Sequence, residues 1–207
     1  MRNEIDLSER FGVSRPTTRR AIQELVAQGL VVRKRGAGTK VVYDHVATPL
    51  RLTSLFDHLA QDGRGPETKI LVNQLSSQPV EVAQKLLVEP DEPVLRLRRL
   101  RMAGGEPLAI LENFLPAELS DIGDADLVSG GLYQAIRAAG VRMRIANQRI
   151  GARVGTDEEC LLLGEPPLSP VMTMERLTLA DSGLPVEWGR HVYRASRYQF
   201  TMTLVSR

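Results

Sequence analysis

Hydrophobic positions are sparse and helically spaced over the first 27 residues. Leu7 and Phe11 lie four apart among charged neighbours, which predicts a helix of about two turns after Asn3, stopped at Gly12. Gly12-Val13 reads as a turn. Ser14 is a good N-cap, because its hydroxyl can accept from an unpaired N–H of the first helical turn. Pro16 follows where no N–H partner is missed. Ala21, Ile22, Leu25 and Val26 then form one apolar stripe, and Gly29 ends the helix. Beyond it the period changes to two. Leu30–Val32 and Lys40–Val42 read as strands about "RKRGAGT", a Gly-containing hairpin tip.

Pro, Gly and polar clusters mark 43–65 as a linker (43–50), a short helical or irregular lead-in (52–60) and a turn at Gly63–Pro66. From residue 68 strands dominate. "TKILVNQLSSQP" reads as a strand and "PVEVAQKLLV" as a helix. "PVLRLRRLRMAGGEPLAILENFLP" reads as two strands about a Gly-Gly turn. "GGLYQAIRAAG" is a helix, "RMRIANQRIGARV" a strand, and "TDEECLLLG" a helix capped by Thr156. Two long strands about Asp181–Gly183 follow, and a third after Ala195. The hairpins "RLRMAGGEPL" and "RLTLADSGLPV" share Arg-Leu, Ala, a Gly turn and a Pro, which hints at two similar halves in one antiparallel sheet. Long antiparallel strands with interspersed helices indicate an α+β fold.

Charge divides the chain at the same place as the change of texture. Residues 1–42 hold nine Arg or Lys and four acids; residues 43–207 hold 18 basic and 21 acidic residues. A basic end on a near-neutral body points to a polyanion partner. No run reaches the 18 or more apolar residues of a membrane helix, and the N-terminus lacks the apolar core of a signal peptide, so no membrane role is expected. Cys160 is the one cysteine of 207 residues, which predicts a reduced thiol and a cytoplasmic protein.

A tight turn, a basic second helix, a Gly stop and a basic hairpin together describe a winged helix-turn-helix. The second helix offers Arg15, Thr17, Arg19, Arg20 and Gln23. Arginine can bridge guanine O6 and N7 or neutralise phosphates, and threonine can touch a thymine methyl. No catalytic constellation stands out. His45, His58 and His191 are scattered without metal-ligand spacing, and there is no Gly-rich phosphate loop or serine elbow, so no metal and no cofactor are expected. In "LRLRRLRM", Arg96 and Arg98 share one strand face, and Arg99 and Arg101 the other. Alternation alone does not say which pair points inward. Glu112 shares a face with Ile110 and Phe114; Glu187, His191 and Tyr193 share another. Internal salt bridges and a polar pocket for an anion explain such charges equally well.

The stretch "LSERFGVSRPTTRRAIQELVAQGLVVRKRGAGTKV" resembles the winged-helix domain of the GntR family of bacterial transcription regulators. The resemblance implies a homodimer on double-stranded operator DNA. Ser14, Arg15, Thr17, Arg19 and Arg20 match the helix contacts, and Arg33, Lys34, Arg35, Gly36, Gly38 and Thr39 the wing, which enters the minor groove. Family members carry a further helix before this point, so residues 1–42 are expected to form an incomplete head of marginal stability. Residues 66–207 resemble the UTRA-type effector domain of the HutC subfamily, a chorismate-lyase-like fold, through "RLRMAGGEPLAILENFLP", "GGLYQAIRAAG" and "PVEWGRHVYRASRYQF". The resemblance assigns Arg99 and Arg101, helped by Gly131 and Tyr133, to a phosphate, and Glu112, Glu187 and Tyr193 to a sugar. Ser54 is an additional donor. Gly131 departs from the family's usual serine. The implied function is an effector-responsive regulator with a small anionic metabolite. The alternatives are a DNA-binding protein with no effector and a lyase-like enzyme.

Overall fold

The computed structural model describes residues 4–27, 31–34, 38–41 and 54–200. These fall into two compact units, one holding the described residues through Val41, the other lying within Leu52–Gln199.

The first unit contains α1 (Glu4–Phe11), α2 (Arg15–Ala27), β1 (Val31–Lys34) and β2 (Gly38–Val41). The Thr17 N–H donates to Ser14 Oγ at 3.3 Å, the N-cap bond expected of that serine. The helices meet through polar groups that a search for apolar periodicity passes over. The Ser8 hydroxyl donates to Thr18 Oγ1 at 3.0 Å, with both residues buried, and the Thr18 hydroxyl donates to the Ser14 carbonyl at 3.3 Å. Ile22 is buried as expected, but Ala21 is exposed. Phe11 is 66% exposed, with the Arg10 guanidinium 5.6 Å from its ring centre. The wing strands pair antiparallel, Arg33 opposite Thr39 and Lys34 opposite Gly38. Both strands therefore run nearer the tip than the hydrophobic pattern indicates, and residues 33 and 34 belong to the ladder. Gly29, Leu30, Arg35, Gly36, Val42 and the linker 43–50 lie outside the described residues.

The second unit begins with α3 (Leu55–Gln61), capped by Ser54 through a reciprocal box with Asp57. It continues through β3 (Pro66–Ser76), α4 (Val80–Leu86), β4 (Val94–Ala103), β5 (Glu106–Pro116), α5 (Asp124–Ser129) and α6 (Leu132–Ala138). β6 (Met143–Val154), α7 (Asp157–Leu163), β7 (Pro170–Ala180) and β8 (Pro185–Arg194) complete it. The strands form one antiparallel sheet in the order β3-β4-β5-β8-β7-β6. Each half of that order is a strand, a helix and a hairpin in the same sequence, in keeping with the two look-alike hairpins. Residues 195–200 form a turn and irregular chain, and residues 201–207 lie outside the described part, so no third strand follows β8 among the described residues.

Helices cover both faces of the sheet. On one face Val82 and Leu86 of α4 pack on Val94, Phe114 and Trp188, and Leu163 of α7 packs with Leu100, Ile110 and Val171. On the other face Leu127, Leu132 and Ile136 pack on Leu95, Leu97 and Leu115. Burying one such aliphatic side chain contributes about 1.5–3 kcal/mol, so these clusters set which strand face is which. Arg99 and Arg101, two and four residues on from Leu97, must then point to the α5–α6 side.

Candidate functional site

Two sites emerge, one in each unit. In the first, α2 presents Arg15, Pro16, Arg19, Arg20 and Gln23 around one open groove. Arg15, Thr17, Arg19 and Arg20 are all exposed, while Thr18 and Ile22 face α1. Arg20 makes an exposed i,i+4 ion pair with Glu24 at 3.6 Å, a contact of small energetic weight that a phosphate could displace. Basic side chains on the first turns of a helix beside a hairpin suit the major groove and its flanking phosphates.

The second site lies on the α5–α6 face of the sheet. Antiparallel register places side chains in cross-strand rows. One row runs Arg101, Ala109, Tyr193, Met172. The next runs Arg99, Leu111, His191, Met174, and the third Leu97, Asn113, Gly189, Arg176, Gln148. Thr178 lies opposite Glu187 in the following row. Arg99 and Arg101 are buried, at 2% and 1% exposure. The register thus resolves the choice that alternation left open: the pair 99 and 101 points inward. Arg98 points to the other face, where it bonds Glu158 at 2.6 Å.

The two buried guanidiniums are poorly matched. Arg99 donates to Asn113 Oδ1 at 2.5 Å and Arg101 donates to Thr68 Oγ1. Neither forms an ion pair with a carboxylate among the described residues, and the Nε of each is buried without a partner. Desolvation pushes the Arg99 guanidinium down to about 10. Desolvation, with repulsion from Arg99, pushes Arg101 down to about 9. Phe56 of α3 lies over Arg101, with the guanidinium carbon 4.9 Å from its ring centre. An unpaired buried donor costs about 1–3 kcal/mol, so the two Nε–H groups weigh against the fold as it stands.

Next to the arginines is a closed polar network. Glu187, fully buried, accepts from Asn113 Nδ2 at 2.5 Å, from the Thr178 hydroxyl at 2.7 Å and from the Tyr133 hydroxyl at 3.2 Å. Burial raises its pKa above the ordinary carboxylate range against the pull of these bonds. His191 meets Asn113 Nδ2 at 3.1 Å through Nε2 and the Tyr193 hydroxyl at 3.3 Å through Nδ1. Burial, then the positive Arg176 and Arg99, push its pKa well below 6.5, so its ring is neutral. Arg176 donates to Gln148 Oε1 at 2.9 Å and to the Tyr133 hydroxyl at 3.2 Å. Tyr198 stacks on Tyr193 with ring centres 4.4 Å apart. Gly189 sits in the middle: a Cβ there would lie 2.5 Å from Glu187 Oε1 and 2.8 Å from His191 Nε2.

Of the expected effector residues, Arg99, Arg101, Tyr133, Glu187 and Tyr193 come together here. Ser54 and Gly131 meet at the edge, where a Cβ on Gly131 would lie 3.3 Å from Ser54 Oγ and 2.9 Å from Phe56 Cβ. Gly131 has φ +107°, so the usual serine would be strained at this backbone as well as crowded. Glu112 is a correction: it lies on the opposite face, bonded to Arg96 at 2.7 Å and Arg190 at 2.8 Å. Strand alternation is the reason, since residues 111 and 113 face the arginines and 112 cannot. Asn113, Thr178, Arg176, Thr68 and Phe56 join the site without any pattern in the sequence that singles them out. The β7–β8 hairpin register was the signal that could have placed Thr178 beside Glu187.

The model of the UTRA domain matches residues 61–199, and that of the bacterial regulatory proteins, gntR family, matches residues 3–41. The chain belongs to the GntR family of bacterial regulators. Within it, the chain is 30% identical over 200 residues to the HTH-type transcriptional repressor NagR of Bacillus subtilis, covering 96% of this chain and 82% of NagR. It is 31% identical to the probable transcriptional regulator PhnF of Escherichia coli, covering 96% and 84%. A crystal structure of a Streptomyces coelicolor protein is similar at 46% identity and TM-score 0.66, covering 70% of this chain and 96% of that one. PhnF from Mycobacterium smegmatis shares the fold at TM-score 0.68 and 24% identity, over 100% and 92% of the two chains. This GntR-family chain is therefore a transcription regulator and not an enzyme, and its fold is the α+β arrangement expected. Among the described residues no helix is long and apolar enough to cross a membrane.

Proposed function

We propose that this chain is a cytoplasmic regulator of the HutC subfamily. It binds an inverted-repeat operator as a homodimer and responds to a small oxyanion held between Arg99 and Arg101. Residues 1–42 are the DNA-binding head, 43–65 the connection and 66–207 the effector and dimerisation domain. Arg15, Thr17, Arg19 and Arg20 read or grip the operator from α2, after the cap at Ser14. Arg33, Lys34, Arg35, Gly36, Gly38 and Thr39 form the wing that follows the adjacent minor groove.

One observation carries the effector reading: two adjacent, buried guanidiniums each keep an unpartnered Nε. Fixed cations without carboxylate partners are costly in the absence of an anion and favourable in its presence. Ser54 and Tyr133 border the anion, while Glu187 and Tyr193 belong to the polar network beside it. A protein without an effector is the weaker alternative. It would pair Arg99 with Glu112, and Glu112 instead serves Arg96 and Arg190 on the other face. For the anion to matter it must bind two states of the domain differently. The cover over Arg101 is Phe56 of α3, which lies within the connecting residues 43–65, and its displacement is the change an anion would reward.

A thermal-shift screen with small phosphates, phosphonates and carboxylates tests this. At 100 times its dissociation constant an anion adds about 2.7 kcal/mol to native stability. The stabilisation is expected to vanish in Arg99→Met and Arg101→Met. A panel in which no oxyanion stabilises the chain contradicts the reading.

A further inference from the structure

A cation and a carboxylate are buried on one face of the sheet and do not meet. Arg99 stands on β4 and Glu187 on β8, with β5 between them. Burial lowers the Arg99 pKa and the charge of Glu187 raises it, so each lies in the other's field. A buried guanidinium gains most from a carboxylate in direct contact. Among the described residues no ion pair joins these two, and the side chain that links them is Asn113 of β5.

Register puts it there. Asn113 follows by two Leu111, the partner of Arg99, and stands directly across from Gly189, which follows Glu187 by two. Diagonal neighbours on one sheet face are within reach of a polar side chain. The amide oxygen accepts from Arg99 at 2.5 Å, and the amide nitrogen donates to Glu187 Oε1 at 2.5 Å. The amide cannot be reversed, because a guanidinium has no lone pair to accept an amide N–H. Its second N–H meets His191 Nε2 at 3.1 Å, which makes that nitrogen an acceptor and leaves the ring proton on Nδ1, toward the Tyr193 hydroxyl. Gly189 provides the seat: a Cβ there would lie 2.9 Å from Asn113 Nδ2.

Resting on the oxyanion reading above, we propose that Asn113 is the positioning residue that keeps Arg99 open to an anion. Its amide stands between the buried guanidinium and the buried carboxylate and prevents an internal salt bridge. The amide satisfies one N–H of the arginine and leaves its charge uncompensated by contact. An aspartate of the same shape would compensate it. Dependence on an effector then turns on one atom, a nitrogen where an oxygen would supply the anion from within the chain.

Exchanging the two groups tests it. Asn113→Asp combined with Glu187→Gln keeps the net charge, and keeps a hydrogen bond between the pair, now donated by residue 187. The remaining oxygen of residue 187 still accepts from Thr178 and Tyr133. The carboxylate moves into contact with Arg99. In isothermal titration of the full chain with inorganic phosphate, the exchange is expected to weaken binding by about tenfold or more. Nitrogen-15 NMR of the His191 ring reads the direction of the amide without any ligand. The unaltered chain is expected to carry the ring proton on Nδ1, and the exchanged chain on Nε2, facing the new carboxylate. A proton on Nε2 in the unaltered chain overturns the proposal, and that result stands even if the exchanged chain does not fold. Phosphate bound equally by both chains overturns it while leaving the oxyanion reading intact. No phosphate bound by the unaltered chain, with the chain folded by circular dichroism, overturns the oxyanion reading and the role of Asn113 with it.

Discussion

Arg99 and Arg101 concentrate the consequences of burial at single residues. Each is charged, sealed from water and short of partners, so each weakens the unliganded fold it serves. Replacing such a charge with an apolar side chain of similar length is often neutral or stabilising. Arg99→Met is therefore expected to hold or raise the melting temperature without anion and to abolish the shift with it, read in one thermal-denaturation series. The depressed pKa values fix the alkaline limit. Anion affinity should weaken as pH rises through about 9, the pKa at which Arg101 has lost half its charge. His191 governs the acid side. Its folded pKa is lowered, so below pH 6.5 the unfolded chain takes up a proton that the native chain refuses. Stability is then lost as pH falls from 6.5, and His191→Gln should flatten that limb of the stability profile. Strand alternation made the inward pair at 99 and 101 legible as a pair, but not its direction. Direction came from Leu95 and Leu97, whose helical cover lies more than twenty residues away in sequence.

Among the elements, the local signals were the dependable ones. The caps at Ser14 and Thr156, the Gly104–Gly105 turn and the Asp181–Gly183 hairpin are all local chemistry, and each sits where the residues indicate. Losing the Ser14 cap by Ser14→Ala should cost the head about 1 kcal/mol, measurable by urea denaturation. What local chemistry could not give was the whole contact between α1 and α2, because Ser8 and Thr18 are buried there beside Ile22 while the apolar Phe11 and Ala21 are exposed. Glu112 failed for a related reason. A carboxylate among apolar residues on a strand looks like a pocket residue, yet Arg96 and Arg190 on neighbouring strands complete it on the far side of the sheet. Gly131→Ser joins element to site. With φ +107° and Phe56 Cβ in the way, it should destabilise the second unit by about 1–3 kcal/mol despite adding a hydroxyl beside Ser54. A denaturant midpoint compared with that of the parent chain checks it.

At the scale of the whole molecule, the charge division is the physical basis of the division of labour. The basic end suits a salt-dependent grip on DNA, and the near-neutral body holds the buried pair Arg99 and Arg101. Operator affinity should fall steeply with salt, and Arg15→Ala or Arg19→Ala should both weaken binding and shallow that dependence. The measurement that bears most directly on the account is operator affinity at fixed ionic strength, with and without a saturating oxyanion, in the parent chain and in Arg99→Met. The account predicts that the anion changes affinity by about 5-fold to 150-fold in the parent chain, the usual span of allosteric coupling, and not at all in the variant. An operator affinity indifferent to every bound oxyanion, or an equal response in Arg99→Met, would contradict it.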